Sequence, residues 1–194
     1  MTKEIPWDRY PTTQHSPTAS AWLSIQVSLG LAINTLDAYV RALEDYFVFC
    51  SAHTVQPDTA TKHHVIAYVR DLFDRPRSDR STQPSLEPQA GLANATIQQR
   101  LTVIRLYYSY LQEEGVRIDN PVGRGRYTPG RVFGSKSERG LVPRTHTLSW
   151  IPNEDQWQAI LEATKQEPLR NRFMFALAYD AALRREELCT FISL

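Results

Sequence analysis

The sequence contains only two cysteines, Cys50 and Cys189, which lie far apart in a chain of 194 residues. Their spacing suggests neither a metal site nor a disulfide framework, so we expect a reducing, cytoplasmic environment. The first residues lack the apolar core of a signal peptide. The longest apolar run, residues 173–179, is far too short to cross a bilayer, and we expect no membrane partner.

The sequence also lacks an excess of charge of either sign. The chain has 22 Lys and Arg residues against 21 Asp and Glu residues, which leaves a net charge of +1. This balance argues neither for nor against nucleic acid as a partner. The cations are unequal in type, with 18 arginines and 4 lysines. Guanidinium groups bind phosphate oxygens in pairs, although a GC-rich genome would explain the same bias.

No segment alternates apolar and polar residues as a strand does, so the sequence predicts an all-α fold. Apolar residues instead recur at helical spacing, as in Leu36, Val40, Leu43 and Phe47. We predict six helices. The first covers about residues 19–29, and the second is capped by Asn34 and reaches Cys50. The third and fourth cover about 61–74 and 95–114. The fifth opens at Pro152 or Asn153, and the sixth covers about 169–181.

Composition divides the chain into four parts. Residues 1–18 are rich in proline and small polar residues and are predicted to be a flexible leader. Residues 19–120 hold the first four helices, interrupted by a long polar loop at about 75–92. Residues 121–150 lack periodicity and are rich in Gly, Pro and Arg, which predicts a linker. Residues 151–194 hold the last helices.

Positive charge is concentrated around the predicted linker. Residues 117–146 contain seven Lys and Arg residues and two acidic residues, so this stretch carries +5 in a chain of net charge +1. Extended basic backbone suits a DNA duplex because its cations replace counterions condensed on the phosphates. A solvated hinge is the alternative explanation. The candidate phosphate contacts are Arg124, Arg126, Arg131 and Lys136.

Two helices offer candidate base contacts. The predicted exposed side of the fourth helix carries Gln98, Gln99 and Arg105, flanked by Thr96 and Arg100, and the second helix adds Asn34, Thr35 and Arg41. Gln and Arg form paired hydrogen bonds with adenine and guanine edges in the major groove. Solvation of an ordinary helix exterior explains the same residues without DNA.

Three segments, in order, resemble the tyrosine recombinases, the family of phage integrases and Xer-type enzymes. Residues 35–39, with Leu43 and Phe47, resemble the opening of the family's core-binding domain, and residues 95–108 resemble its last helix. Residues 183–188, Leu-Arg-Arg-Glu-Glu-Leu, resemble the segment of its first catalytic arginine. The resemblance implies a SAM-like core-binding helical bundle over 19–120, then a linker, then the first helices of an incomplete catalytic domain over 151–194.

The resemblance also implies a function: the DNA-binding N-terminal part of a recombinase acting in site-specific recombination and integration. In this family a tyrosine attacks a DNA phosphate, and the covalent phosphotyrosine conserves the bond energy, so no metal or nucleotide cofactor is expected. Arg184, or Arg185 in the alternative register, corresponds to the first catalytic arginine and would stabilise charge on the phosphate oxygens. Glu187 would support it. The implied partners are double-stranded DNA and other recombinase protomers on paired sites.

The sequence departs from the family pattern in two respects. Ala182 stands where many relatives have glycine, and alanine resists positive φ, so we expect the turn before Arg184 to differ. None of the five histidines has an arginine three residues later, and all nine tyrosines precede Arg184. The family's later lysine, His-x-x-Arg pair and nucleophilic tyrosine are therefore not found, and we expect the chain alone not to cleave DNA.

We expect residues 151–194 to be loosely held, because domains of about 40 residues rarely stabilise themselves. Phe173, Leu177, Leu188 and Phe191 are predicted to lack much of their cover. Two alternatives to a recombinase stay open at this point: a DNA-binding module with no catalytic role, and an all-α protein-interaction domain whose arginines serve solubility.

Overall fold

The computed structural model describes residues 5–75, 91–122, 141–142 and 151–192. Its regular structure in these ranges is entirely helical, which confirms the all-α prediction. The chain divides into two compact units, Met1–Thr145 and His146–Leu194. The helices of the first unit are α1 (Pro11–Gln14), α2 (Pro17–Ser28), α3 (Ile33–Ala52), α4 (Lys62–Asp74) and α5 (Asn94–Glu113), and those of the second are α6 (Glu154–Thr164), α7 (Leu169–Asp180) and α8 (Arg185–Ile192).

The core of the first unit is built from the apolar stripes of α2 to α5. Both α3 and α5 run for 20 residues, and the positions predicted to face inward are buried in each, except that Tyr39 is half-buried. Tyr39 instead stacks on Trp22 of α2, with ring centroids 5.6 Å apart. The fully buried apolar residues of α3 and α5 include Leu36, Val40, Leu43, Phe47, Cys50, Ile97, Ile104, Tyr108 and Leu111.

In α4 the prediction of the buried face was partly wrong. Helical spacing in the sequence predicts that Val65, Val69, Leu72 and Phe73 face inward. Phe73 is instead 44% exposed, whereas Tyr68 is fully buried. The buried positions Val65, Tyr68 and Leu72 follow the spacing of one helix face, and Phe73 falls on its flank.

The buried tyrosines are held by hydrogen bonds at their hydroxyl ends. Tyr46 and Tyr108 share a hydrogen bond of 2.8 Å between their hydroxyl oxygens, and Tyr108 donates to the carbonyl of Pro57 at 2.7 Å. Tyr107 donates to Asp58 at 2.8 Å. Burial raises the pKa of all three phenols, which therefore remain protonated donors. Tyr107 and Tyr108 are thus held in the packed core of the bundle.

The prediction of a flexible leader over residues 1–18 is wrong for the part that the structure describes. Residues 5–16, which we call the N-terminal segment, contain a 3₁₀ turn at Trp7–Arg9 and helix α1, and α2 already begins at Pro17. Tyr10 is 7% exposed and Thr13 is fully buried. Proline and polar residues suggested mobility, but carboxylates on α3 provide hydrogen-bond partners for the segment.

A pair of backbone hydrogen bonds closes the base of the polar loop after α4. The Gly91 N–H donates to the Arg75 carbonyl at 2.8 Å, and the Leu92 N–H donates to the Leu72 carbonyl at 2.9 Å. Gly91 has a φ of +87°, and a Cβ atom there would lie 2.2 Å from the Phe73 carbonyl oxygen. Only glycine fits this position without displacing backbone. The rest of the predicted loop lies outside the described residues.

The second unit has one helix with a complete side-chain cap, α6, but little core. Asn153 and Gln156 form a capping box at the start of α6, and Trp157 stacks on Tyr179 of α7 with ring centroids 4.3 Å apart. Of its described side chains, Leu188 alone is buried.

The prediction that apolar side chains of this unit are incompletely buried is therefore confirmed in part. Phe173 is 52% exposed and Leu177 is half-buried, but Leu188 is only 5% exposed and contradicts the prediction. The side chain of Phe191 lies outside the described residues. No helix in the described part of the chain is long and apolar enough to span a membrane.

Candidate nucleic-acid interface and arginine segment

The outer side of α3 presents three of the predicted DNA contacts. Asn34 and Arg41 are exposed and lie seven residues apart, on one stripe of the helix, while Thr35 is half-buried beside them. Asn34 does not cap the helix as predicted, because α3 begins one residue earlier, at Ile33. Arg41 is the one basic residue of α3 and therefore its sole candidate for a phosphate contact.

Arg41 is held by an ion pair that also involves the N-terminal segment. Its guanidinium group donates to Oδ2 of Asp37, one helical turn earlier, and its side chain remains 69% exposed. Oδ1 of the same carboxylate accepts a hydrogen bond of 2.8 Å from the Tyr10 hydroxyl. The pKa of Arg41 is raised by its interaction with the Tyr10 side chain and by its hydrogen bond and charge interaction with Asp37.

The predicted contacts on α5 fall into different environments. Gln99 is exposed, whereas Thr96, Gln98 and Arg105 are half-buried. The Gln98 amide donates to the backbone carbonyl of Val142 at 2.5 Å. Gln98 is thereby engaged with the chain that follows the bundle, and Gln99 and Arg105 are the α5 candidates better placed to meet DNA.

Arg100, also predicted to contact DNA, is engaged inside the bundle. It donates to Oδ2 of Asp45 at 2.6 Å, and its side chain is 24% exposed. Asp45 also accepts hydrogen bonds from Arg75 at 2.5 Å and from Tyr68 at 2.6 Å. This carboxylate joins α3, α4 and α5. A structural role for Arg100 therefore competes with the predicted one.

Arg117, counted in the basic stretch, likewise belongs to the bundle. Its side chain is 10% exposed and donates to the backbone carbonyls of Asp58 at 2.9 Å and Ala60 at 2.8 Å. Its guanidinium carbon lies 5.1 Å from the ring centroid of Tyr108. This cation fastens the turn before α4 to the end of α5, so it is not available to a duplex.

The structure describes residues 121–122 and 141–142 of the predicted linker, and these residues are packed against the first unit. Val122 is 6% exposed and Val142 is 3% exposed, and both belong to the core of the first unit. The first unit accordingly extends to Thr145, beyond the predicted domain end at residue 120. The candidates Arg124, Arg126, Arg131 and Lys136 lie outside the described residues.

Arg184 lies at the start of α8, in a short connection after α7. Its backbone N–H donates to Oε2 of Glu187 at 2.8 Å, and its own carbonyl accepts from the Leu188 N–H at 3.0 Å. Glu187 therefore fixes the backbone of Arg184, an arrangement typical of a helix N-terminus. The Arg184 side chain is exposed, and no described residue forms an ion pair or hydrogen bond with its guanidinium group. An anion could therefore reach it.

The turn before Arg184 adopts a left-handed residue in spite of the alanine. Ala182 has a φ of +50°, a conformation that glycine adopts at lower energy. We expected the turn to differ because alanine resists a positive φ. The φ of Ala182 is nevertheless positive, so the backbone is strained at this residue. The side chain of the alternative candidate, Arg185, lies outside the described side chains.

Residues 24–117 match the family model of the phage integrase N-terminal SAM-like domain. The chain is 29% identical over 181 residues to a tyrosine recombinase XerD of Caulobacter vibrioides, in an alignment covering 91% of the chain and 50% of the relative. The chain is therefore similar to the tyrosine recombinases over most of its length, and its residues 24–117 match an N-terminal domain of the phage integrases. A tyrosine recombinase XerC of Xanthomonas axonopodis pv. citri is 24% identical over 168 residues, covering 85% of the chain and 49% of the relative.

The chain spans about half the length of the curated relatives it matches. A more distant one, a tyrosine recombinase XerC of Thermodesulfovibrio yellowstonii, is 22% identical over 169 residues, covering 85% of the chain and 45% of the relative. No solved structure matches the chain significantly. The family match lies within the first unit, and the alignments to the curated relatives cover most of the chain.

Proposed function

We propose that the first unit binds double-stranded DNA and that the chain is the DNA-binding N-terminal part of a tyrosine recombinase acting in site-specific recombination and integration. The observation that carries this proposal is the match of residues 24–117 to the phage integrase N-terminal SAM-like domain. The relatives that align with most of the chain are themselves named tyrosine recombinases.

In this proposal the outer sides of α3 and α5 meet the duplex. On these helices Arg41 is exposed with an ion pair at the surface, and Arg105 has no ion pair with a described residue, so these two cations would bind phosphates. Gln99 and Asn34 are exposed polar side chains with the donors and acceptors that read base edges. The sequence adds Arg124, Arg126, Arg131 and Lys136 as further phosphate contacts.

Arg184 would act on the scissile phosphate of the complete enzyme. Attack by a tyrosine hydroxyl places negative charge on the non-bridging oxygens, and a guanidinium group held in place stabilises that charge. Glu187 supports this role by fixing the backbone of Arg184 through a hydrogen bond of 2.8 Å. Other recombinase protomers on paired DNA sites are the proposed protein partners, and the reaction would pass through a phosphotyrosine.

The proposal is tested by titrating the chain with duplex DNA at several salt concentrations. Each phosphate neutralised contributes about −0.9 to the slope of log K against log salt. We expect Arg41→Gln and Arg105→Gln each to make the slope shallower by about 0.9. Arg184→Ala should leave duplex affinity mostly intact, because its proposed role is in the reaction and not in binding.

Arg70→Gln is the matched control for these variants. Arg70 is an exposed arginine on α4, outside the proposed surface, so its substitution removes the same charge without removing a proposed contact. An unchanged slope for Arg70→Gln, beside shallower slopes for Arg41→Gln and Arg105→Gln, supports the surface. A wild-type affinity that does not respond to salt would eliminate DNA binding and favour a protein-interaction domain.

A further inference from the structure

Two carboxylates flank Arg41 on α3, and the N-terminal segment binds both of them. Asp37 lies four residues before Arg41 and Glu44 lies three residues after it, so both are within reach of its guanidinium group on the helix surface. A carboxylate that pairs with this arginine competes with a DNA phosphate for the same donors. The partners of Asp37 and Glu44 therefore influence how available Arg41 is.

Asp37 divides its two oxygens between two donors. Oδ2 pairs with Arg41, while Oδ1 accepts the Tyr10 hydroxyl at 2.8 Å. Tyr10 is 7% exposed, so its ring is fixed by packing and its hydroxyl holds the carboxylate in one orientation. The hydrogen bond also takes up part of the carboxylate's charge, and only one oxygen is left for Arg41.

Glu44 is bound more completely by the N-terminal segment. Its Oε1 accepts the Thr12 N–H at 3.1 Å, and its Oε2 accepts both the N–H and the hydroxyl of Thr13 at 2.7 Å. Thr13 is fully buried, which keeps this contact away from water. Three donors thus hold Glu44 toward α1, and Glu44 forms no ion pair with Arg41.

We infer that the N-terminal segment positions Arg41 for binding a DNA phosphate, with Tyr10 as the positioning residue. By occupying Oδ1 of Asp37 and both oxygens of Glu44, the segment leaves Arg41 in a single, monodentate ion pair at the surface. A phosphate needs to displace only that one ion pair. This inference rests on the proposed function, because it assigns Arg41 to phosphate binding.

The test is a double-mutant cycle measured by duplex affinity at several salt concentrations. Tyr10→Phe removes the hydroxyl and keeps the ring, so Asp37 is free to pair more fully with Arg41. We expect Tyr10→Phe to weaken duplex binding about two- to threefold in the wild-type background, the range of one surface ion pair. In the Arg41→Gln background it should have no effect on binding.

Two further variants sharpen the cycle. Thr13→Val removes the hydroxyl donor to Glu44 and should weaken binding in the same Arg41-dependent way. Tyr110→Phe is the matched control, because Tyr110 is half-buried on α5 and its hydroxyl has no hydrogen bond to a described residue. It should leave affinity unchanged in both backgrounds. Thermal unfolding followed by circular dichroism verifies that each variant remains folded.

The outcomes separate the inference from the function on which it rests. Equal losses from Tyr10→Phe in both backgrounds would indicate a general structural role and overturn the inference, as would no loss in either. Both results are compatible with salt-dependent DNA binding by the wild-type chain. A wild-type affinity that is independent of salt would overturn the proposed function itself, and the inference with it.

Discussion

The two units of this chain differ in how far a buried core supports their helices. In the first unit, the N-cap positions of α3 and α5 are Ala32 and Ala93, neither of which provides a side-chain cap, yet both helices run for 20 residues over a buried stripe. In the second unit, α6 opens with a complete capping box, but Leu188 of α8 is the one buried side chain among its described residues.

The difference shows how little local signals achieve without a core. A cap contributes about 1 kcal/mol, whereas most helical stability in proteins comes from packing an apolar face. The second unit leaves large apolar side chains in water: Leu169 is 80% exposed and Tyr179 is 61% exposed. Its helices are therefore expected to open more easily than those of the first unit.

The largest effect should come from deleting the same side chain in each unit. Phe47 is 2% exposed in the first unit, and Phe173 is 52% exposed in the second. Phe47→Ala is expected to lower the free energy of unfolding by about 3–5 kcal/mol, because it leaves a cavity in a packed core. Phe173→Ala should change stability by less than about 1 kcal/mol.

Native-state hydrogen exchange is the suitable measurement for this pair, because it reports the opening of individual helices and so reads the two units separately. Phe47→Ala should accelerate exchange throughout α3 and α5. A loss of protection in α7 from Phe173→Ala as large as that from Phe47→Ala in α3 would contradict the comparison and reveal packing around Phe173.

A smaller effect is expected from removing one carboxylate charge in each unit. Asp45 is 21% exposed and accepts hydrogen bonds from Arg75, Arg100 and Tyr68. Asp45→Asn weakens these contacts and should lower the free energy of unfolding by about 1–3 kcal/mol, the range for hydrogen bonds to charged groups. It tests the structural role of Arg100 as well, since Arg100→Gln should destabilise without making the DNA salt slope shallower.

Glu162→Gln is the matched substitution in the second unit. Glu162 pairs with Lys165 at 2.5 Å, but both side chains are more than half exposed. Exposed pairs of this kind contribute at most about 0.5 kcal/mol, so the change should be within the error of chemical denaturation. Equal destabilisation by Asp45→Asn and Glu162→Gln would show that the Asp45 cluster is no stronger than a surface pair.

Periodicity predicted the helices well because it depends on neighbours within one turn. The contacts that the sequence did not reveal join residues far apart in the chain. Tyr10 reaches Asp37 across 27 residues, and Arg100 reaches Asp45 across 55. No local pattern distinguishes an arginine with such a partner from a solvated one, so the sequence predicts Arg100 as a DNA contact and includes Arg117 in the basic stretch.

The arginine segment was more predictable, because its geometry is local. Glu187 lies three residues after Arg184, the spacing at which an acidic side chain reaches back to the backbone N–H at a helix start. The sequence suggested that Glu187 supports Arg184, and the capping-box spacing could have specified that the contact is with the backbone. The positive φ of Ala182 could not have been found this way, since alanine argues against it.

The smallest expected change in stability comes from replacing one residue of positive φ by glycine in each unit. Ala182 has a φ of +50° and Thr54 has a φ of +55°, and neither residue is a glycine. The left-handed conformation costs a residue with a Cβ about 1–2 kcal/mol, while glycine adds conformational entropy to the unfolded chain and offsets about 0.4–1 kcal/mol of the gain. Ala182→Gly and Thr54→Gly should each give a net stabilisation of about 1 kcal/mol or less.

The two glycine substitutions differ in where the gain should be seen. Thr54→Gly should raise the midpoint of cooperative unfolding of the first unit, because its core unfolds as one body. Ala182→Gly should slow hydrogen exchange in α8, next to the turn, and leave α6 unchanged, since few side chains in the described part of the second unit are buried. Slower exchange in α6 and α8 together would show that the second unit is more cooperative than its exposed side chains indicate.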